Sequence, residues 1–117
     1  MTIDEFEHQV LSTALEWSFL RLVETVDKTD YAVKLRLHVD TECFVQVYGN
    51  VQKGIVSYTL VLNRLRIYGR DNEAGQWHRH PQGKPDSHDM SPEGRTEVTL
   101  AQFLTEAQGI LRGEGLI

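Results

Sequence analysis

Disulfides, membrane spans and a surplus of positive charge are all missing from this chain. Its single cysteine, Cys43, has no internal partner, so the fold must rest on a packed core rather than on covalent staples. Every apolar run is broken by a charge within a few residues, whereas a spanning helix needs about 20 consecutive apolar residues. No membrane segment is expected. No basic stretch followed by an apolar one opens the chain, so secretion has no support and the expected address is cytoplasmic. The 12 Lys and Arg are outnumbered by 17 Asp and Glu, for a net charge of −5. That balance excludes coating nucleic acid through bulk electrostatics, which needs clustered cations to displace counterions from phosphates. Proline is scarce too, and all 3 copies fall between Pro81 and Pro92.

What is present describes one ordinary globular domain spanning 1–117, with 40% hydrophobic and 25% charged residues. Five of the 12 basic side chains (Arg64, Arg66, Arg70, Arg79 and Lys84) lie in the middle of the chain, which is less negative than the ends. A local basic patch therefore stays open.

Thr2 followed by Glu5 has the form of a capping box, and Ile3, Phe6, Val10 and Ala14 recur at helical spacing. A first helix is expected to about Leu15, with His8 facing solvent. Trp17 to Val26 is β-prone and ends at the turn-like Asp27-Lys28-Thr29-Asp30. Tyr31, Val33, Leu35, Leu37 and Val39 alternate with Ala32, Lys34, Arg36 and His38, the pattern of a half-buried strand.

Cys43 to Tyr48 reads as the next strand. Gly49-Asn50 with Lys53-Gly54 reads as a turn, and Ile55 to Leu62 as a further strand. Asn63-Arg64 turns the chain into Leu65 to Gly69, and the segment 71–75 turns it into Gln76 to His80. Links this short suit antiparallel pairing, because parallel strands need crossovers of about a dozen residues or more. Residues 81–98 show no periodicity and read as a long loop, the kind of segment that often carries function. Thr99 and Gln102 then cap a last helix, with Leu100, Phe103, Leu104, Ala107, Ile110 and Leu111 on one stripe. The fold class is α+β: an antiparallel meander of five or six strands with the N- and C-terminal helices packed on one face.

The chemistry-bearing residues concentrate between Asp71 and Asp89. If Gln76 to His80 is a strand, His78 and His80 point to one face and Trp77 and Arg79 to the other. Two neighbouring imidazoles, one charged and one neutral, can take a proton from an RNA 2′-hydroxyl and give one to the leaving oxygen, and this needs no cofactor. With His88 and an acid such as Asp71, Asp86 or Asp89, the same pair can instead bind a divalent metal. Histidines that only hydrogen-bond the loop are the third reading.

Arg70 and Arg79 offer planar forks that match phosphate, or else they pair with Asp71, Glu73 or Asp89. Trp77, Tyr68 and Tyr48 suit either the core or base stacking, with core the stronger expectation. Lys34, Arg36 and His38 form either a basic stripe or a solvated face. Cys43 is expected to be buried and inert.

The order of helix, antiparallel strands, Asp71-Asn72 turn, His78, His80 and Pro81, proline-rich loop and closing amphipathic helix resembles the TumE-type toxins of prokaryotic toxin–antitoxin pairs. The resemblance runs from about Tyr31 to Leu111, and its distinctive part is Asp71-Asn72 with the histidines. It implies a toxin neutralised by a cognate antitoxin, with RNA as the target.

The leading expectation is therefore a toxin-like protein acting on RNA or another phosphate-bearing substrate. His78, His80 and His88 are the acid/base candidates, and Arg70, Arg79, Asp71 and Asn72 the substrate-binding ones. The competing expectations are a non-catalytic interaction module using the open sheet face or a free edge, and a metal-dependent hydrolase. Self-association stays open.

Overall fold

The computed structural model describes residues 1–117. Helix α1, Ile3–Ala14, starts where the Thr2 hydroxyl accepts from the Glu5 N–H and the Glu5 carboxylate accepts from the Thr2 N–H. Helix α2, Leu100–Gly113, opens on the same reciprocal pair made by Thr99 and Gln102. Both boxes satisfy helix N–H groups that would otherwise lack partners. Between the helices run β1 (Leu22–Lys28), β2 (Ala32–His38), β3 (Cys43–Asn50), β4 (Ile55–Leu62), β5 (Leu65–Asp71) and β6 (His78–His80). Each pairs antiparallel with the one before it, giving a six-stranded meander in the order β1-β2-β3-β4-β5-β6. The chain is an α+β domain, and neither helix is long and apolar enough to cross a membrane.

One face of the sheet is sealed by both helices. Val33, Leu35 and Leu37 of β2, Val45 and Val47 of β3, Leu60 of β4 and Tyr68 of β5 point inward. They meet Val10 and Ala14 of α1 and Phe103, Leu104, Ala107 and Leu111 of α2 in one core. The Phe103 ring lies 5.5 Å from that of Tyr58 and 5.7 Å from that of Tyr68, so one α2 side chain clamps β4 and β5 together. The alternate residues, among them Lys34, Arg36, Phe44, Gln46, Tyr48, Ser57 and Thr59, form the opposite face. Tyr48 is thus on the open face while Tyr68 is core.

Several boundaries differ from the sequence expectation: β1 runs on through Asp27-Lys28 and β5 through Arg70-Asp71, where the sequence pattern predicts turns to begin. Residues 17–20 form a turn-rich link rather than a strand, with the Leu20 N–H bonded to the Trp17 carbonyl, and Phe19 drops into the core. The chain needs this stretch to pass from α1 to the sheet edge. Strand β3 continues through Gly49-Asn50, because at Gly49 the absent side chain leaves room for the Phe6 ring of α1 against the strand. Strand β6 is only 3 residues long, and Gln76 and Trp77 precede it. The two-residue turn at Asn63-Arg64 is present, with φ of 51° and 69° at the two positions, as tight hairpin turns of primed type require.

Phe103→Ala is expected to lower unfolding stability by about 3–5 kcal/mol in denaturant titration, because the ring is fully buried. Cys43 is 1% exposed and burial pushes its thiol up to about 11. A thiol reagent at neutral pH should therefore label it only at the rate of unfolding, and fast labelling of native protein would contradict this packing.

Candidate functional site

Alternation along β5 places the site. Tyr68 and Arg70 turn toward the helices, so Gly69 and Asp71 must turn to the other face. Strand β6 pairs with Gly69 opposite His80, Arg70 opposite Arg79 and Asp71 opposite His78. The histidines therefore share the open face with Asp71, and Arg79 shares the helix-side face with Arg70. Trp77, just before β6, lies toward the core with its ring 6.3 Å from that of Tyr58. This is the division between the two faces that period-two spacing predicts.

Asp71 is the hub. Its Oδ2 lies 3.0 Å from His80 Nε2, its Oδ1 lies 3.0 Å from His78 Nε2, and Oδ1 also accepts from the Glu73 N–H at 3.1 Å. The other ring nitrogens face backbone oxygens: His80 Nδ1 lies 3.0 Å from the Pro85 carbonyl and His78 Nδ1 lies 3.3 Å from that of Gln76. A carbonyl only accepts, so both Nδ1 atoms carry hydrogen and both Nε2 atoms are presented to one carboxylate. All three residues are buried, at 5–7% exposure. His88, from the loop, completes the group: its ring centroid is 4.8 Å from that of His78 and 5.0 Å from that of His80. It is exposed and has no hydrogen-bond partner within the chain.

Asn72, next to the hub, has a different task. Its side-chain oxygen accepts from the Val56 N–H at 2.8 Å and its amide donates to the Gly54 carbonyl at 3.0 Å. It pegs the exit of β5 to the start of β4, which holds Asp71 in place.

Both arginines of the helix-side face are engaged within the chain. Arg70 makes two bonds of 2.9 Å to the Glu106 carboxylate of α2 and one of 2.8 Å to the Glu93 carbonyl. Glu106 and Glu93 lie 36 and 23 residues away, and no local spacing pattern pointed to either. Arg79 pairs with Asp89 through Nε at 2.8 Å and through a second guanidinium nitrogen. The Asp89 backbone also bridges to that of Arg79. The Ser91 hydroxyl and N–H, and then Arg79, hold the Asp89 carboxyl down to about 2.

The segment 81–98 is therefore strapped to β6 at His80 and Arg79 and to β5 at Arg70. On the open face Arg36 stacks over the Phe44 ring at 4.7 Å, His38 bonds Glu24 at 2.9 Å, and Arg66 reaches Asp86 at 3.4 Å. Cys43 is buried on the other face, away from the cluster.

The candidate site is thus Asp71, His78, His80 and His88, four groups from two strands and one loop. Chemically it offers three imidazoles that can hold protons or a metal, and one buried carboxylate that orients two of them. No protein-family model, no curated protein and no solved structure matches this chain.

Arg70 is 5% exposed and triply bonded, so Arg70→Ala should destabilise the fold by about 3 kcal/mol in urea titration. Arg66→Ala, which breaks an exposed pair, should cost under about 0.5 kcal/mol. Equal effects would show that the Arg70 bonds do not hold the loop and α2 to β5.

Proposed function

We propose that this chain is a toxin-like protein that cleaves RNA or another phosphodiester at the histidine cluster, and that a cognate antitoxin neutralises it. The observation that carries the reading is the packing of three imidazoles, with ring centroids within 5.0 Å of one another, around one buried carboxylate at the end of an open polar sheet face. The toxin role is supported by the resemblance carried by Asp71-Asn72 and the histidines that follow.

In RNA cleavage one base removes the 2′-hydroxyl proton, that oxygen attacks the adjacent phosphorus, and an acid protonates the departing 5′-oxygen. His88, exposed and free of hydrogen bonds, is suited to exchange a proton with substrate. His78 and His80, fixed by Asp71 and by backbone carbonyls, hold their Nε2 positions without rearrangement. The rest of the open face fits a strand of phosphates and bases. Cross-strand rows lead from Arg36 through Gln46, Thr59 and Gly69 to His80, and from Lys34 through Tyr48, Ser57 and Asp71 to His78. Arg70 and Arg79, taken up by internal acids, leave phosphate contacts to Lys34 and Arg36 on this face.

An RNA oligonucleotide incubated with the purified chain should be cut, and induced expression should arrest growth unless the antitoxin is supplied. His78→Ala and His80→Ala, each shown by circular dichroism to be folded, should cut at least about 100-fold more slowly. Folded variants that keep full cleavage or full toxicity would end the acid/base assignment.

A second reading, a non-catalytic interaction module, is favoured by β1, an outer strand with Leu22 63% and Val26 41% exposed. It predicts co-purification with a partner and a function indifferent to both histidines.

A further inference from the structure

The two buried histidines and their carboxylate present a charge problem. With Nδ1 of each ring hydrogen-bonded to a carbonyl, the neutral imidazole leaves its Nε2 lone pair within 3.0 Å of an Asp71 oxygen. Two lone pairs and one anion meet there, and all three groups are nearly removed from water. A cation placed among them would offset the buried anion.

The geometry favours an ion in three ways. Of the two Nε2 contacts to Asp71, both 3.0 Å, only that of His80 is aligned as a hydrogen bond; the His78 nitrogen is close but aimed off its oxygen. Ligand atoms sharing a tetrahedral zinc ion with bonds of about 2.0–2.2 Å sit roughly 3.3–3.6 Å apart without bonding each other, a few tenths of an ångström wider than the contacts to Asp71. A metal-binding imidazole usually donates its far N–H to a carbonyl or carboxylate, which fixes the ring with the other nitrogen free, and His78 and His80 both do so. A third imidazole, His88, has its ligand atom within 4.8 Å of the other two. Its side chain is exposed, and that separation exceeds the spacing of atoms sharing a zinc ion by roughly 1.5 Å, which ion binding would have to close.

We propose that His78, His80 and His88, with Asp71, form a site for a divalent transition ion, zinc above all. Imidazole with one carboxylate is a borderline donor set that suits zinc and its first-row neighbours rather than magnesium or calcium, which prefer oxygen. The ion would join β5 and β6 to the loop. It would also occupy the nitrogens that proton transfer at His78 and His80 uses, so loaded and ion-free protein are two distinct chemical states of the cluster proposed above as the reactive centre. The inference rests on that cluster but is read by binding, so either proposal can fail alone.

The test uses the full chain without an affinity tag, stripped with chelator, desalted, and titrated with zinc and separately with cobalt(II). About one zinc per chain should survive a second desalting, and cobalt should give the visible absorption of a low-coordinate nitrogen–oxygen site. His80→Gln should abolish retention. His88→Ala, outside the core and expected to keep the parent circular dichroism, should weaken zinc binding at least about tenfold. No retention, or retention unchanged by His88→Ala and His80→Gln, overturns the site. RNA cleavage assayed on the same ion-free and zinc-loaded samples separates the readings. Cleavage by protein that never binds zinc keeps the proton-transfer reaction and removes the metal, whereas zinc binding without cleavage in either state does the reverse.

Discussion

Burial of one sheet face beneath both helices is the constraint on which the rest of this structure depends. Because side chains alternate along a strand, slipping any strand by one residue would expose its apolar set and bury its polar one. Val33, Leu35 and Leu37 against Val45 and Val47, held under Phe103 and Leu104, leave only one register. That register passes on through the meander, with one irregularity between β4 and β5 at Leu60–Val61, beyond which Leu60 pairs with Tyr68. It reaches β5 with Tyr68 inward and Asp71 outward, and so decides which face His78 and His80 occupy. The site is a downstream consequence of packing that involves none of its residues.

The long segment after β6 is held from both sides of that short strand. On the open face His80 meets the Pro85 carbonyl; on the helix-side face Arg79 meets Asp89 and Arg70 meets the Glu93 carbonyl. The two arginines, costly to bury alone, are each matched to one carboxylate, and no buried side-chain polar atom lacks a partner. The arginines therefore act mainly as struts, and the histidine cluster lies on the opposite face of the sheet.

Asp71 links structure to chemistry. One carboxylate accepts a loop N–H, holds one imidazole by a hydrogen bond and lies against a second. This arrangement costs the fold a buried polar cluster and gives two rings of fixed orientation beside a third that is free. Under the proposed reading, the two fixed rings set the geometry before substrate arrives and the free one exchanges a proton or an ion with the outside.

The sequence by itself determined both helices, through their capping boxes and apolar stripes, and the meander, through period-two alternation and short turns. It also placed His78 and His80 on one face and Trp77 and Arg79 on the other, because that follows from strand geometry alone. It did not determine that residues 17–20 form a link, since β propensity there yields to the distance between α1 and the sheet edge. Nor did it show that Asp71 would be the hub, that Glu106 would claim Arg70, or which acid would claim Arg79. Those outcomes depend on contacts between segments as far as 36 residues apart. Local patterning reports which way a side chain points, and only the folded chain decides what it meets.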